Sequence, residues 1–134
     1  MANGYQSVLE HWNNNGSNFS YGTCRVVFDV TVAADPAANW WFTAKEADNY
    51  VNVIASPHRS WVLGGFNSYG RWAANAPGWE AAHETGHFFG LPDDYTARGP
   101  KPGHSGHMMA EYWGAVNQQE IDDILDDTSC SCGR

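Results

Sequence analysis

The stretch AHETGHFFGLPDDY, residues 82–95, decides how the rest of the chain must be arranged. On an α-helix His83 and His87 lie at positions i and i+4, so both imidazoles leave the same face. Two ring nitrogens on one face can hold one zinc ion. Glu84 follows the first histidine, where its carboxylate can reach a metal-bound water without binding the metal.

The residues after this helix can supply a third ligand. Gly90 can adopt the left-handed conformation that ends a helix, and the following turn can return Asp93 to the metal. Three protein ligands plus a water form the open coordination of a catalytic zinc, not the closed one of a structural zinc. The spacing from Gly90 favours Asp93 over Asp94, which is expected to bond to backbone or to the second nitrogen of a histidine.

The alternative interpretation is a buried helix whose histidines are only hydrogen-bonded. The complete pattern of histidines, glutamate, glycine and aspartate has a chance probability of about 0.0001 in a chain of this composition. The sequence therefore predicts one catalytic Zn²⁺ bound by His83, His87 and Asp93.

The pattern H-E-x-x-H-x-x-G-x-x-D in residues 83–93, with methionines in the segment HMMA at 107–110, resembles the metzincin clan of zinc endopeptidases. Most of that clan has a third histidine. The aspartate variant is similar to the snapalysin family of small secreted bacterial proteases and to peptidase domains of bacterial polymorphic toxins. The resemblance implies a zincin-like α+β fold, with a twisted mixed sheet, an active-site helix carrying the HExxH motif and a C-terminal helix.

The resemblance also implies support from the segment after the helix. Metzincins place a methionine in a tight turn beneath the ligands, and Met109, which precedes a small residue, is preferred here over Met108. In some members a tyrosine two residues after that methionine stabilises the transition state. Glu111 holds that position here, so Tyr112, one residue later, and Tyr95 are both candidates.

The glycine- and proline-rich segment Thr96–His107 is predicted to be a long loop near the site. Its histidines, His104 and His107, are candidates for bonding substrate or for competing as ligands, although histidines beside glycines are commonly just solvated. Glu111 raises the alternative of a glutamate ligand carried by a second helix. Prolines and glycines between residues 99 and 114 disfavour a helix before it.

Hydrophobic periodicity and capping signals predict three helices and four extended segments. The helices are Asn3–Trp12, Pro77–Phe89 and Asn117–Asp127, and the extended segments are Arg25–Ala33, Tyr50–Ile54, Ser60–Leu63 and Arg71–Ala74. Tyr50–Ile54 is expected to be a central strand, and Trp40–Phe42 to pack in the core. The resemblance implies an edge strand just before the zinc helix that pairs with substrate, expected within Ser60–Ala74.

Length and composition limit the class of protein. A chain of 134 residues fits one domain, here residues 1–134, and its net charge of −8 argues against nucleic acid or an anionic membrane as a partner. No apolar run is long enough for a membrane span, and residues 1–4 do not resemble a signal peptide. The resemblance favours a protein that is secreted, or delivered as part of a larger bacterial chain.

Three cysteines, Cys24, Cys130 and Cys132, leave two alternatives open. Cys24 can form a disulfide with the tail in an oxidising compartment, or all three can remain reduced. A reduced tail thiolate would also be a good zinc ligand and could block the site.

The expected activity is that of a zinc endopeptidase in which Glu84 takes a proton from the attacking water and passes it to the leaving amine. Its partner would be a protein or peptide substrate, together with a cognate inhibitor or immunity protein if the chain is a toxin domain. The alternative is a metal-stabilised protein-binding module that has a peptidase fold and no turnover.

Overall fold

The computed structural model describes residues 8–13, 19–30, 49–55, 59–65, 68–128 and 131–133, which form an α+β arrangement. In chain order the elements are α1 (residues 8–12), β1 (Phe19–Tyr21), β2 (Cys24–Val26), β3 (Tyr50–Ile54), β4 (Trp61–Val62), β5 (Tyr69–Ala73), α2 (Gly78–Phe88), β6 (Tyr95–Thr96), β7 (Gly99–Pro100) and α3 (Gln118–Asp126). The predicted α+β class is confirmed. None of the helices in the described ranges has the length and apolarity needed to cross a membrane.

A mixed three-stranded sheet lies before α2, with the strand order β3-β5-β4. β3 runs parallel to β5, whereas β4 is antiparallel to it, with Val62 opposite Gly70. A side chain at Gly70 would meet Val62 Cγ1 at 2.3 Å, so glycine allows the close approach of β4.

The strand order bears on two expectations about this sheet. β5, not β3, is the central strand among those described, because β3 and β4 both pair with it. The strand directly before α2 is therefore this central strand. The edge strand of the described order that precedes it is β4, which lies within the range Ser60–Ala74 expected for the edge strand.

The strand predicted at Arg25–Ala33 is shorter than expected. β2 ends at Val26 because the side-chain amide of Asn13 takes the place of a neighbouring strand at Phe28. The Phe28 N–H donates to Asn13 Oδ1 at 2.8 Å, and Asn13 Nδ2 donates to Phe28 O at 3.0 Å. The alternation itself is present, since Val27 is 62% exposed while its neighbours pack against the core. Residues 31–33 lie outside the described ranges.

Trp12 joins α1 to the back of α2. Its side chain is fully buried and its Nε1–H donates to Ala82 O at 2.9 Å. The indole also packs against Phe28 and Phe89, with ring centroids 5.2 and 5.0 Å away. Truncating a buried tryptophan of this kind costs about 3–5 kcal/mol, so this contact is a main determinant of where α2 lies.

The C-terminal helix α3 begins at a capping box, as predicted. The side chain of Asn117 accepts the Glu120 N–H, and the Glu120 carboxylate accepts the Asn117 N–H at 3.1 Å. Near the other end, Tyr21 O–H donates to Asp126 Oδ1 at 2.7 Å. This bond compensates for an acid at the helix end that the dipole disfavours.

A disulfide joins Cys24 to Cys132, which are 108 residues apart, and resolves the two alternatives for that pair. Thr23 N–H donates to Cys132 O at 2.8 Å beside it. Closing a loop of this length stabilises the fold by about 4–5 kcal/mol in the chain-entropy description. Cys132 is therefore not a thiolate that could reach a metal.

Some predictions fall outside the described residues. They are the packing of Trp40–Phe42, the start of the first helix at Asn3 and the state of Cys130.

Candidate metal centre

Helix α2 is one residue shorter at each end than the predicted range Pro77–Phe89. Pro77 is its N-cap in extended conformation, and Phe89 is its C-cap. Gly90 follows with φ +94°, the left-handed conformation predicted for it. Leu91 N–H then donates to Gly86 O at 3.1 Å, which turns the chain back towards the helix face that carries the histidines.

Three predicted ligands converge on one point. His83 Nε2 lies 3.2 Å from Asp93 Oδ1, and His87 Nε2 lies 3.3 Å from the same oxygen. The three ligand atoms all lie within 4.8 Å of one another, and no other group of three potential ligands in the described ranges does so. This triad, His83, His87 and Asp93, can hold a metal ion.

Backbone carbonyls orient both imidazoles for that role. His83 Nδ1 donates to Met108 O at 2.9 Å, and His87 Nδ1 donates to Leu91 O at 2.8 Å. A ring whose Nδ1 carries the proton presents the Nε2 lone pair to a metal. Asp94 therefore does not bond to the second nitrogen of either histidine of the triad, which was one of the two alternatives for Asp94.

The arrangement of the triad has room for a cation between its members. A neutral histidine with its proton on Nδ1 has only a lone pair at Nε2, and an ionised carboxylate oxygen has only lone pairs. Burial lowers the pKa of His83, which disfavours a proton at its Nε2. Lone-pair atoms 3.2–3.3 Å apart repel unless a proton or a metal ion lies among them, and a metal ion fits the three converging ligand atoms.

Glu84 lies beside the triad in a cleft of about 290 Å³. The residues that line this cleft are Arg59, Ser60, Trp61, Val62, Glu84, His87, Asp93 and Tyr95. Glu84 is only 3% exposed, and this burial raises its pKa to about 7. A carboxyl group with this pKa can both accept and release a proton near neutral pH.

The opposite wall of the cleft carries a cation that sequence reasoning did not identify. Arg59 Nη2 donates to the hydroxyl oxygen of Tyr95, a contact that connects the approach to β4 with the turn carrying Asp93. This hydrogen bond raises the pKa of Arg59. No spacing pattern marks Arg59, because its position in the cleft depends on how the sheet pairs.

Met109, the candidate turn methionine, packs against helix α2 at Gly86. It is fully buried, and a side chain at Gly86 would meet its Sδ at 2.4 Å. Met109 O accepts the Asp94 N–H at 2.9 Å. This bond connects the methionine turn to the residue that follows the candidate ligand Asp93. Gly86 was not predicted to matter, although a glycine inside a helix signals a close approach.

Glu120 supports the same turn from α3. Its Oε1 accepts the Met109 N–H at 2.9 Å, in addition to its capping role. The residue is 1% exposed, and burial raises its pKa to about 7. The capping box was predicted from the sequence, but this second bond to the methionine turn was not.

Asp94 faces away from the triad and holds the following loop. Its Oδ2 lies 3.1 Å from His104 Nδ1, without hydrogen-bond geometry, and its Oδ1 lies 3.3 Å from Lys101 Nζ. Lys101 Nζ also donates to Asp93 O at 2.8 Å. Lys101, which sequence reasoning missed, therefore connects both aspartates of the turn.

The remaining candidates are outside the triad and the cleft lining. His107 packs beside His104, and the Glu111 carboxylate accepts the Ser105 hydroxyl and the Gly106 N–H. Tyr112 is 73% exposed and packs on Trp79. Of the two tyrosine candidates, Tyr95 is therefore the one that lines the cleft.

We compared the chain with known proteins by family, by sequence and by structure. No family model, no curated protein and no solved structure matches it, so the site itself must indicate the function.

Proposed function

We propose that the protein is a zinc-dependent endopeptidase that hydrolyses peptide bonds with Glu84 as the general base. The observation that carries this proposal is the convergence of His83, His87 and Asp93 beside the buried carboxyl group of Glu84. A metal triad with an adjacent base is the set of groups that metal-assisted hydrolysis requires.

The donor set suits zinc. Two imidazole nitrogens and one carboxylate oxygen are zinc ligands in hydrolytic enzymes, and three protein ligands leave a fourth position for water. When bound, zinc supplies a Lewis acid that lowers the pKa of that water to about 7 and polarises the scissile carbonyl. The carbonyl oxygens of Met108 and Leu91 keep both imidazoles in the tautomer that this ion needs.

Glu84 moves the proton. Its carboxylate accepts a proton from the attacking water and then gives it to the nitrogen of the leaving amine. A pKa of about 7 suits both transfers, because neither protonation state is strongly preferred at neutral pH. A general acid–base group of this kind contributes roughly 100- to 10,000-fold to the rate.

Two further features support a metzincin-like arrangement. β4 lies at the end of the described strand order and lines the cleft, where an extended peptide can pair with a strand edge. Met109 lies in a tight turn and packs beneath Gly86. In the sequence, Gly86 lies between the two histidines of the triad. Both features agree with what the motif resemblance implies.

We also propose that the protein acts in an oxidising compartment, either secreted or delivered from a cell. The disulfide between Cys24 and Cys132 supports this, because such bonds persist outside the reducing cytosol.

The test is to measure the metal content of the purified protein and the cleavage of an unstructured protein with and without chelator. We expect one zinc per chain and chelator-sensitive cleavage. Glu84→Gln should keep the zinc and lose nearly all activity, whereas Glu10→Gln, a change at an exposed position of α1, should keep both.

Three results would count against the proposal. Substantial cleavage by Glu84→Gln would remove Glu84 as the base. A bound zinc without any cleavage would favour the protein-binding module. Failure to bind zinc, with no stabilisation when zinc is added, would contradict the metal site itself.

A further inference from the structure

We propose that Arg59 binds a carboxylate of the substrate, so that the enzyme prefers peptides with an acidic group next to the scissile bond. This inference rests on the proposed peptidase function and specifies its substrate class.

Arg59 is placed to meet whatever enters the cleft. It lies two residues before β4, and its guanidinium reaches across to the hydroxyl of Tyr95, two residues after the ligand Asp93. Both residues line the same cleft as Glu84. The Tyr95 bond therefore holds a positive charge beside the reacting groups.

Among the described residues no carboxylate pairs directly with Arg59, although the charge of Glu84 in the same cleft acts on it from a longer distance. In the parts of the chain that the structure describes, Arg59 forms no ion pair, whereas Lys101 on the other side of the ligand turn is paired with Asp94. Its partner Tyr95 is a neutral phenol that takes one N–H. A guanidinium has five N–H donors in a planar fork that matches a carboxylate, so most of them remain for a ligand.

The charges around the cleft favour an anion once the metal is present. A divalent cation balances the carboxylates of Asp93 and Glu84, which leaves the guanidinium of Arg59 as excess positive charge. The whole chain carries −8, but charges more than about 8 Å away are largely screened at physiological salt. The local contact therefore outweighs the overall repulsion of an acidic substrate.

The size of the cleft limits where the acid can lie. A volume of about 290 Å³ is at the small end for ligand sites, and Arg59 and the triad share it. An extended peptide advances about 3.3–3.6 Å per residue, so the acidic group must be within about two residues of the cleaved bond.

The test uses quenched fluorescent peptides that are identical except for one residue. That residue is aspartate, asparagine or lysine at each of the two positions on either side of the bond, with both ends blocked. A further peptide is neutral but has a free C-terminal carboxylate two residues after the bond, so it distinguishes a terminal carboxylate from an acidic side chain. Binding of the same peptides to the zinc-loaded Glu84→Gln protein is measured by calorimetry.

We expect the wild-type protein to prefer one of the acidic peptides by about 10- to 100-fold over its neutral counterpart, the range for a charge-assisted hydrogen bond. Arg59→Gln should remove the preference, and Arg59→Glu should shift it towards lysine. Arg25→Gln removes the same charge at an exposed position of β2 and should keep the preference. A reversal by Arg59→Glu cannot come from a merely structural role of Arg59.

Equal cleavage and equal binding of all the peptides would overturn this inference while leaving the peptidase intact, as would an acid preference that persists in Arg59→Gln. Acid-selective binding without cleavage by the wild-type protein would instead contradict the peptidase proposal and leave Arg59 as the recognition residue. The absence of both cleavage and binding would overturn both.

Discussion

Two pairs of histidines lie at almost the same separation in the described part of this protein, and only one of them belongs to a group that could hold a metal ion. The rings of His83 and His87 have centroids 5.1 Å apart, and those of His104 and His107 are 5.2 Å apart. In the first pair both Nδ1 atoms donate to backbone carbonyls and both Nε2 atoms meet Asp93. In the second pair neither Nδ1 has a hydrogen bond of good geometry, although Asp94 Oδ2 lies 3.1 Å from His104 Nδ1, and no group of three ligand atoms forms there.

The comparison shows that proximity of two imidazoles does not by itself create a ligand site. The helix sets the direction of the first pair, because residues four apart share a face, and the two carbonyls then set the tautomer. The second pair lies three residues apart in a loop, where neither the direction nor the proton position is determined. Orientation by neighbouring groups therefore distinguishes the site from the cluster.

Removing one histidine from each pair gives the largest expected contrast. His87→Ala should reduce the zinc content from about one per chain to near zero, because two protein ligands remain. His107→Ala should leave it at about one. Metal analysis after dialysis measures both. Loss of zinc from His107→Ala would mean that the second pair contributes to the site.

Glu120 interacts with groups at both pairs. Its carboxylate accepts a hydrogen bond from the methionine turn beneath the first pair, and the charge of His104 in the second pair acts to lower its pKa. Burial raises its pKa from 4.5 to about 7. Between these values the folded protein keeps a proton that the unfolded chain has released, so stability falls as pH rises. We expect this group to cost the fold about 3 kcal/mol between pH 4.5 and pH 7.

Urea denaturation with chelator present can isolate this effect. The difference in the free energy of unfolding between wild type and Glu120→Gln should change by that amount across the window, with the wild type losing more. Comparing the two proteins cancels the opposite slope from His83, whose lowered pKa makes stability rise with pH. A constant difference would show that Glu120 ionises normally.

Adding a side chain at Gly86, beneath the first pair, should have a smaller effect on the free energy of unfolding. Gly86→Ala gains up to about 1 kcal/mol of helix propensity but drives a methyl group into Met109 Sδ and against Trp12, an overpacking cost of about 1–3 kcal/mol. We expect a net loss of about 1–2 kcal/mol in thermal or urea unfolding. The loss should shrink in a Met109→Ala background, where the space exists, and an unchanged loss would exclude the clash as its cause.

The smallest change is expected from Met109→Leu. This swap conserves volume, so it should cost less than about 1.5 kcal/mol and leave zinc binding nearly unaltered. A competition titration with a chromophoric chelator measures the affinity. A large loss of affinity would show that the sulfur does more than fill the space under Gly86.

The ligand helix could be predicted because its signals are local. In α2 these signals are the periodic histidines and Gly90 in left-handed conformation, and α3 was predicted in the same way from its capping box at Asn117. Such patterns depend on helix geometry alone, and each was found within a residue or two of its predicted position.

The sheet and the cleft wall could not be predicted in the same way. The positions of β5 at the centre and β4 at the edge depend on pairing between distant segments, which no local pattern determines. The end of β2 depends on a side chain, Asn13, that competes with a neighbouring strand for the backbone of Phe28. Arg59 became visible as a site residue only after these contacts placed it opposite Tyr95.

The disulfide between Cys24 and Cys132 has a consequence for a protein that would cut peptide bonds, its own included. The chain from β2 to Cys132 forms one covalent ring, closed between two cysteines 108 residues apart, and this ring contains the triad. A single nick in any exposed loop between these cysteines leaves the two fragments linked. Self-digestion would then appear as two bands only on a reducing gel, and the nicked protein would keep its parts together until a second cut.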